Sequence, residues 1–312
     1  MQTALSTQRS DGTSLSARVG RLHTYRNGFL YAGPVFRTTT QRQSVIVCVA
    51  LTDVGFSVQT KKETLSSIGA ALLPPGFMHI HTGRSPVAAL DVAPTAYPYR
   101  ALARAASAST LVWSRTHFEP VLDELRAFKE GHLPASEVSA LRRRFLELAL
   151  ELVPPVQPLD PRVREVMRLM REEPGRPITD LAREVDMSVD WLRHLFVTEA
   201  AIPLRKYEMT LRLQTAAAHI GSGASVTQSA ANAGFSDLAH FSKIWKLHYG
   251  YGPRRAFAGN KVSIDATSLA RFETTLPGVE MDPGPGLQSR QPETQTAAAE
   301  ASEARVPIQS PS

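Results

Sequence analysis

Residues 234–250 set the narrowest limits on what this chain can fold into. Gly234 predicts a helix end, because the left-handed backbone that closes a helix suits only glycine without strain. Ser236 stands where its hydroxyl can accept from the first free N–H groups of a following helix. Phe241, Trp245 and Tyr249 recur every four residues, which places them along one buried side. Gly250 predicts that helix's end. His240, Ser242, Lys243 and Lys246 fill the other side. A short helix, a glycine turn and a second helix with a basic polar face is the outline of a helix-turn-helix, and equally of an ordinary helical hairpin.

A second unit upstream separates the two readings. Asp160 predicts a cap for a helix opening Pro161-Arg162, with Val163, Val166, Met167 and Met170 on its apolar side. The run Glu173-Pro174-Gly175-Arg176-Pro177 breaks it. Residues 179–185 predict a short helix. After Asp186-Met187, Ser188 predicts the cap of a helix from Val189 to about Glu199, with Trp191, Leu192, Leu195 and Phe196 inward. Residues from Pro203 to about Ile220 predict one longer helix packed through Leu204, Tyr207, Leu211, Leu213 and Ala216. Gly221-Ser222-Gly223 ends it, and Ser225-Val226-Thr227 opens the helix before Gly234. A joining helix of about 18 residues spans about 27 Å. That sets two reading helices roughly one duplex turn apart, about 34 Å, on one side of DNA.

Residues from about 161 to 257 resemble the DNA-binding domain of AraC/XylS-type transcription regulators. The resemblance is carried by Leu181-Ala182, Ser188, Leu192, Leu195-Phe196, Tyr207, Arg212-Leu213 and Ala216. It continues through Ala230, Gly234-Phe235-Ser236-Asp237, Phe241-Ser242-Lys243, Trp245-Lys246, Gly250 and Pro253. The chain departs from the pattern at Ala201, where glycine is usual, at Ser229, where an aliphatic residue is expected, and at Ala256-Phe257, in place of an aromatic-Arg pair. The resemblance implies that Asp190, Arg193 and His194 face bases from the first reading helix. Arg193 can bond guanine O6 and N7 in a fork, and Asp190 can accept from cytosine N4 or buttress Arg193. On the second helix the corresponding positions are Leu238, Ala239, Ser242 and Lys243, with His240 beside them. Leu238 and Ala239 suit thymine methyls, and Lys243 suits a base or a phosphate. Each position also has an ordinary reading as exposed surface.

The resemblance also implies an N-terminal cupin-like domain that senses and dimerises. The residues agree that this half is β-rich: short apolar runs such as 29–31, 44–51, 55–58 and 69–73 alternate with turn residues, the pattern of an all-β barrel or sandwich. Residues 72–81 read as strand, Pro-Gly turn and strand, and Pro74, Gly76 and His79 resemble a histidine-bearing box of cupin barrels. His23 is the sole histidine upstream of Pro74 and no H-x-H pair occurs, so no metal is expected. His79 and His81 either line a barrel mouth or form the wall of an effector pocket.

Residues 116–131 and a stretch from about Pro134 read as helices. Val138, Leu141, Phe145, Leu148 and Leu152 make a heptad-like seam that either packs on the chain's own sheet or pairs with a second copy. Pro154-Pro155 within 154–159 marks a linker. The expected division is therefore an arm over 1–20, a cupin-like domain over 21–153, the linker, a DNA-binding domain over 160–258, and a largely disordered tail over 259–312. Within that tail the short run Val262-Ser263-Ile264 reads as an ordered remnant with no function assigned to it.

The fold expected is α+β, an N-terminal cupin-like barrel with following helices and a C-terminal all-α domain carrying two helix-turn-helix units. A single cysteine, Cys48, excludes an internal disulfide and fits a cytoplasmic protein. No apolar run is long enough to span a bilayer and no signal peptide is apparent. A net charge of +6 permits a nucleic-acid partner. The leading reading is a sequence-specific transcription regulator, not an enzyme and without a cofactor. Its partners would be double-stranded DNA, a second copy, a small effector and RNA polymerase. The competing readings are a cupin-type enzyme with a DNA-binding appendage and a non-specific architectural DNA binder.

Overall fold

The structure, a computed structural model, describes residues 20–25, 27–34, 38–81, 85–249, 252–253 and 262–264. The chain divides into a compact unit over 1–271 and a remainder over 272–312 that lies outside the described residues.

The N-terminal half forms two sheets. The larger comprises β1 (Arg21–Tyr25), β2 (Gly28–Pro34), β4 (Val45–Ala50), β7 (Ala70–Leu73), β9 (Pro86–Val92), β10 (Leu111–Trp113) and β11 (Val262–Ile264), in the order β10-β7-β4-β9-β2-β1-β11. The smaller runs β3 (Thr38–Arg42), β8 (Gly76–His81), β5 (Phe56–Thr60) and β6 (Thr64–Ile68). Among the described strands neither sheet closes on itself, so the expected barrel is a sandwich with open edges.

The reason lies in β4, whose six residues are all buried. Val45, Val47 and Val49 face one apolar cluster and Ile46, Cys48 and Ala50 another. A strand buried on both faces needs a layer on each side, and a continuous apolar run is its signature. The smaller sheet covers one face with Phe56, Val58 and Ile68. Helices α1 (Tyr99–Ala105), α2 (Glu119–Glu130) and α3 (Ala135–Glu151) cover the other. The turn at Pro74-Pro75 carries the chain from one sheet to the other, and Gly76 begins β8 at φ +123°, a conformation that favours glycine.

The heptad-like seam packs within the chain. Val138, Leu141 and Phe145 are buried, and the Phe145 ring meets Phe118 edge-on at 5.5 Å. The fourth buried position of α3 is Ala149, and Leu148 and Leu152 are only half-buried.

After residues 154–159, which form no regular element, six helices follow: α4 (Pro161–Glu172), α5 (Ile178–Glu184), α6 (Val189–Ala200), α7 (Leu204–Gly221), α8 (Val226–Asn232) and α9 (Leu238–Tyr249). Asp160 caps α4, its carboxylate accepting from Arg162 N–H at 2.8 Å. One apolar cluster runs from the large sheet through α1–α3 and Val153 into α4, α5, α6 and the start of α7. The second half of α7 with α8 and α9 forms a cluster of its own. Val262–Ile264 does not lie free: it is β11, parallel to β1 with Leu22 opposite Val262. No helix among the described residues is long and apolar enough to cross a membrane.

Candidate DNA-binding surface

The first reader is α5 with α6. Met187 N–H bonds back to Ala182 at 2.9 Å, and Asp186 makes the tight turn with φ +52°. Ser188 Oγ accepts from Trp191 N–H at 3.2 Å and starts α6. Leu192, Phe196 and Ala200 are buried at four-residue spacing, so the opposite face of α6 is solvent-facing. Asp190, Arg193 and His194 all lie exposed there, as expected. Arg193 Nη1 donates to Asp190 Oδ1 at 3.0 Å, the buttress anticipated for that pair. Trp191 was expected inside and is instead 55% exposed. At 100° per residue it sits one step off the Leu192-Phe196 line, and its ring lies against His194 at 6.0 Å between centroids.

Helix α6 ends on Ala201 at φ +58°, in the left-handed conformation. The residue that departs from the resembled pattern thus occupies the position that a glycine fits without strain.

Helix α7 has 18 residues, as the sequence indicates. Its Arg212 ties this helix to the second reader, donating from Nη1 to Gly234 O at 2.8 Å while Nη2 donates to Glu208 Oε1 of α7 at 2.5 Å. In α8, Ser225 Oγ accepts from Gln228 N–H at 3.1 Å. The buried Ser229 is satisfied by donating to Ser225 O at 2.8 Å, which is how a hydroxyl stands where an aliphatic residue is expected. Gly234, at φ +77°, closes α8, with Phe235 N–H reaching Ala230 O at 3.0 Å.

The cap of α9 is not Ser236. Asp237 Oδ1 accepts from His240 N–H at 2.6 Å, and Ser236 Oγ donates to the other oxygen of the same carboxylate at 3.2 Å. These hydrogen bonds hold the Asp237 carboxyl below its ordinary range. A carboxylate accepts more strongly than a hydroxyl, so it takes the cap and the serine supports it. Phe241 and Trp245 are buried with their rings tilted at 58° and 5.4 Å apart, and Tyr249 is half-buried against Trp245 at 4.5 Å. Gly250 lies outside the described residues.

Of the second set, Ala239, His240 and Lys243 are exposed and Ser242 is half-buried. Leu238 packs partly into the cluster of α7–α9 and offers less of its side chain to a base edge. The His240 ring rests edge-on against Phe235 at 5.8 Å. Among the described residues Arg205, Lys206, Lys243 and Lys246 have no acidic partner and are available to phosphate.

Sequence reasoning missed the far end of α9. His248 is buried, α9 packs against β3, and the Arg42 charge of β3 acts on the imidazole. Burial, seconded by Arg42, pushes the His248 pKa down to about 3. Arg42 is paired with Asp91 at 2.9 Å, and Ser44 donates to the same carboxylate oxygen at 2.6 Å. Burial raises the Asp91 carboxyl even so. Further ties run between the halves: Gln214 Nε2 to Thr95 Oγ1 at 2.8 Å, and Arg104 Nη2 to Thr198 O at 2.6 Å. No periodicity within one element reports such a partner.

His79 and His81 lie on β8, His79 opposite Thr39 and Gln59, and His81 opposite Ser57. Their side chains are outside the described set. Among the described residues no three His, Cys, Asp or Glu side chains gather as metal ligands would.

Residues 181–258 match a helix-turn-helix domain family. No curated protein sequence matches the chain. Among solved structures, ToxT from Vibrio cholerae O395 is similar with a TM-score of 0.48 at 14% identity, over 73% of this chain and 95% of that one. ToxT of the same strain bound to (E)-4-(8-methylnaphthalen-1-yl)but-3-enoic acid gives 0.46 at 12%, over 77% and 98%. The AraC-like transcriptional activator CuxR gives 0.30 at 15%, over 65% and 78%. Two capped helices on one connecting helix, together with the domain match that spans them, make residues 181–258 a helix-turn-helix domain.

Proposed function

We propose that the chain is an AraC-like transcription regulator that reads two adjacent major-groove segments, α6 in one and α9 in the next. The observation that carries this is the pair of exposed faces, Asp190-Arg193-His194 and Ala239-His240-Lys243, on two helices joined by the 18-residue α7. Arg193, held by Asp190, reads guanine. His194 and His240 reach base edges, and Ser242 and Lys243 reach bases or phosphates. Ala239, with the exposed part of Leu238, meets thymine methyls.

The sheet half, over 21–153, takes the sensing and dimerising role, with His79 and His81 as candidate effector contacts. RNA polymerase is the partner a promoter-bound regulator would address. The seam of α3 is covered by the chain's own sheet, so a second copy would dock elsewhere on that half. The runner-up, a non-specific binder, is disfavoured by the modest charge of residues 160–258, where 14 Lys and Arg stand against 11 Asp and Glu.

Selection of duplexes from a random pool by the full chain tests the reading. The expected result is a bipartite site whose halves lie about one helical turn apart and are both footprinted. Recovery of no consensus, with all binding lost to random competitor, would sink it. Sedimentation of the free protein at micromolar concentration tests dimerisation, and a single monomer species would remove that role.

A further inference from the structure

We infer that Trp191 belongs to the DNA-contacting surface of the first reader, where its indole fixes the attitude of His194 and turns its N–H toward a backbone phosphate. The inference rests on the reading of α6 as a major-groove helix.

Four observations meet at this residue. The side chain is 55% exposed on a helix whose apolar face is already filled by Leu192, Phe196 and Ala200. Trp191 has no part in that core, so the fold does not need an indole here. The main chain at Trp191 is fixed, since its N–H is the one that Ser188 caps at 3.2 Å. The ring lies nearly parallel to His194, at 30° and 6.0 Å between centroids. Two aromatic groups stacked on adjacent turns restrict each other's rotamers, so the histidine meets DNA already oriented. Finally, the Trp191 Nε1–H has no hydrogen-bond partner among the described residues.

The ring's surroundings favour DNA over a protein. At 100° per residue Trp191 is about 60° around the helix from His194, while Arg193 lies about 100° the other way. The outward face between them holds the exposed polar residues Asp190, His194 and Thr198, and Val197 on its Arg193 side. Val197 is the other exposed large apolar side chain of α6, and it lies about 120° from Trp191. A protein-docking patch requires contiguous apolar surface, which this face lacks. An indole with an apolar body and one donor edge suits the boundary between a base-reading face and the sugar–phosphate chain.

The test uses the full chain and the duplex it selects, with Trp191→Ala, Trp191→Phe, His194→Ala and the double Trp191→Ala/His194→Ala variant. Melting temperatures of all four are expected to match the parent, as the ring is outside the core. Trp191→Ala should bind about tenfold more weakly and lose discrimination at the base pair whose preference His194→Ala abolishes. The double variant should be little worse than either single one. Trp191→Phe keeps a ring but no donor, so it should retain that discrimination while binding about threefold more weakly. A neutral methylphosphonate at one phosphate should weaken the parent and leave Trp191→Phe unaffected. Affinity and discrimination of Trp191→Ala within twofold of the parent would overturn the inference. So would intact DNA binding with lost transcriptional output, which would make Trp191 a protein contact. A parent that selects no sequence defeats the underlying reading instead, and the two failures are told apart by the parent alone.

Discussion

Arg193 is poised by Asp190 across one helical turn, at 3.0 Å, and both side chains face solvent. An exposed pair of this kind adds little to stability, so its value is geometric. Arg193→Ala should leave the melting temperature unchanged, weaken specific binding by about 1–3 kcal/mol, and relax preference at one base pair. A titration against single-base variants of the selected duplex checks this. Ala201 makes the opposite kind of prediction. It holds φ +58° at the end of α6, and relief of that strain by Ala201→Gly should stabilise the chain by about 0.5–1 kcal/mol in urea unfolding. His248 brings pH dependence. Its folded pKa, about 3, lies below the ordinary histidine value, so the unfolded chain takes up the proton first. Stability from this group is whole above pH 6.5 and falls toward pH 3, by up to about 1.4 kcal/mol per pH unit. Urea unfolding at pH 7.5 and 5.5 should show the loss, and His248→Gln should reduce it.

The elements of the DNA-binding half were largely legible because their boundaries are written in local chemistry. Ser188, Ser225, Asp160 and Gly234 each do at a helix end what their residue type does in isolation. The cap of α9 was misplaced by one residue, because Ser236 and Asp237 are both cap formers and the stronger acceptor, the carboxylate, takes the position. Trp191 was misplaced because an aromatic residue beside Leu192 extends the apolar stripe on paper, whereas in the helix the stripe is already closed. The sheet half was less legible. Thr64–Ile68 is an edge strand with polar, exposed positions and so carries no apolar alternation. Arg212 shows how a connecting element acts at two places at once. Arg212→Met should cost about 1–2 kcal/mol of stability, since it unpairs both Gly234 O and Glu208. It should weaken protection over the α9 half-site more than over the α6 half-site, which footprinting reads separately.

At the scale of the whole molecule, part of the positive charge of the helical half is neutralised within the protein. Arg162, Arg168, Arg176, Arg183, Arg193 and Arg212 each hold an acidic partner. If Arg205, Lys206, Lys243 and Lys246 meet phosphates, log Kobs against log salt should have a slope of about −4, and Lys243→Ala should reduce it by about 1. A slope near −10 would mean that contacts beyond these helices carry the binding.

The apolar cluster that passes from the sheet through Val153 into α4–α6 bears on how the molecule comes apart. The proline-rich stretch at 154–159 invites a cut by protease or truncation to release a ready-made reader. The cut would instead pass through a shared interior, laying bare the sides of α4 and α6 that contribute to it. In hydrogen exchange α4–α6 should open together with the sheet's helices, while α8, whose interior is shared with the second half of α7 and with α9, opens at lower free energy. The boundary of folding and the boundary of function then fall at different places in the chain: the first within α7, the second at the prolines.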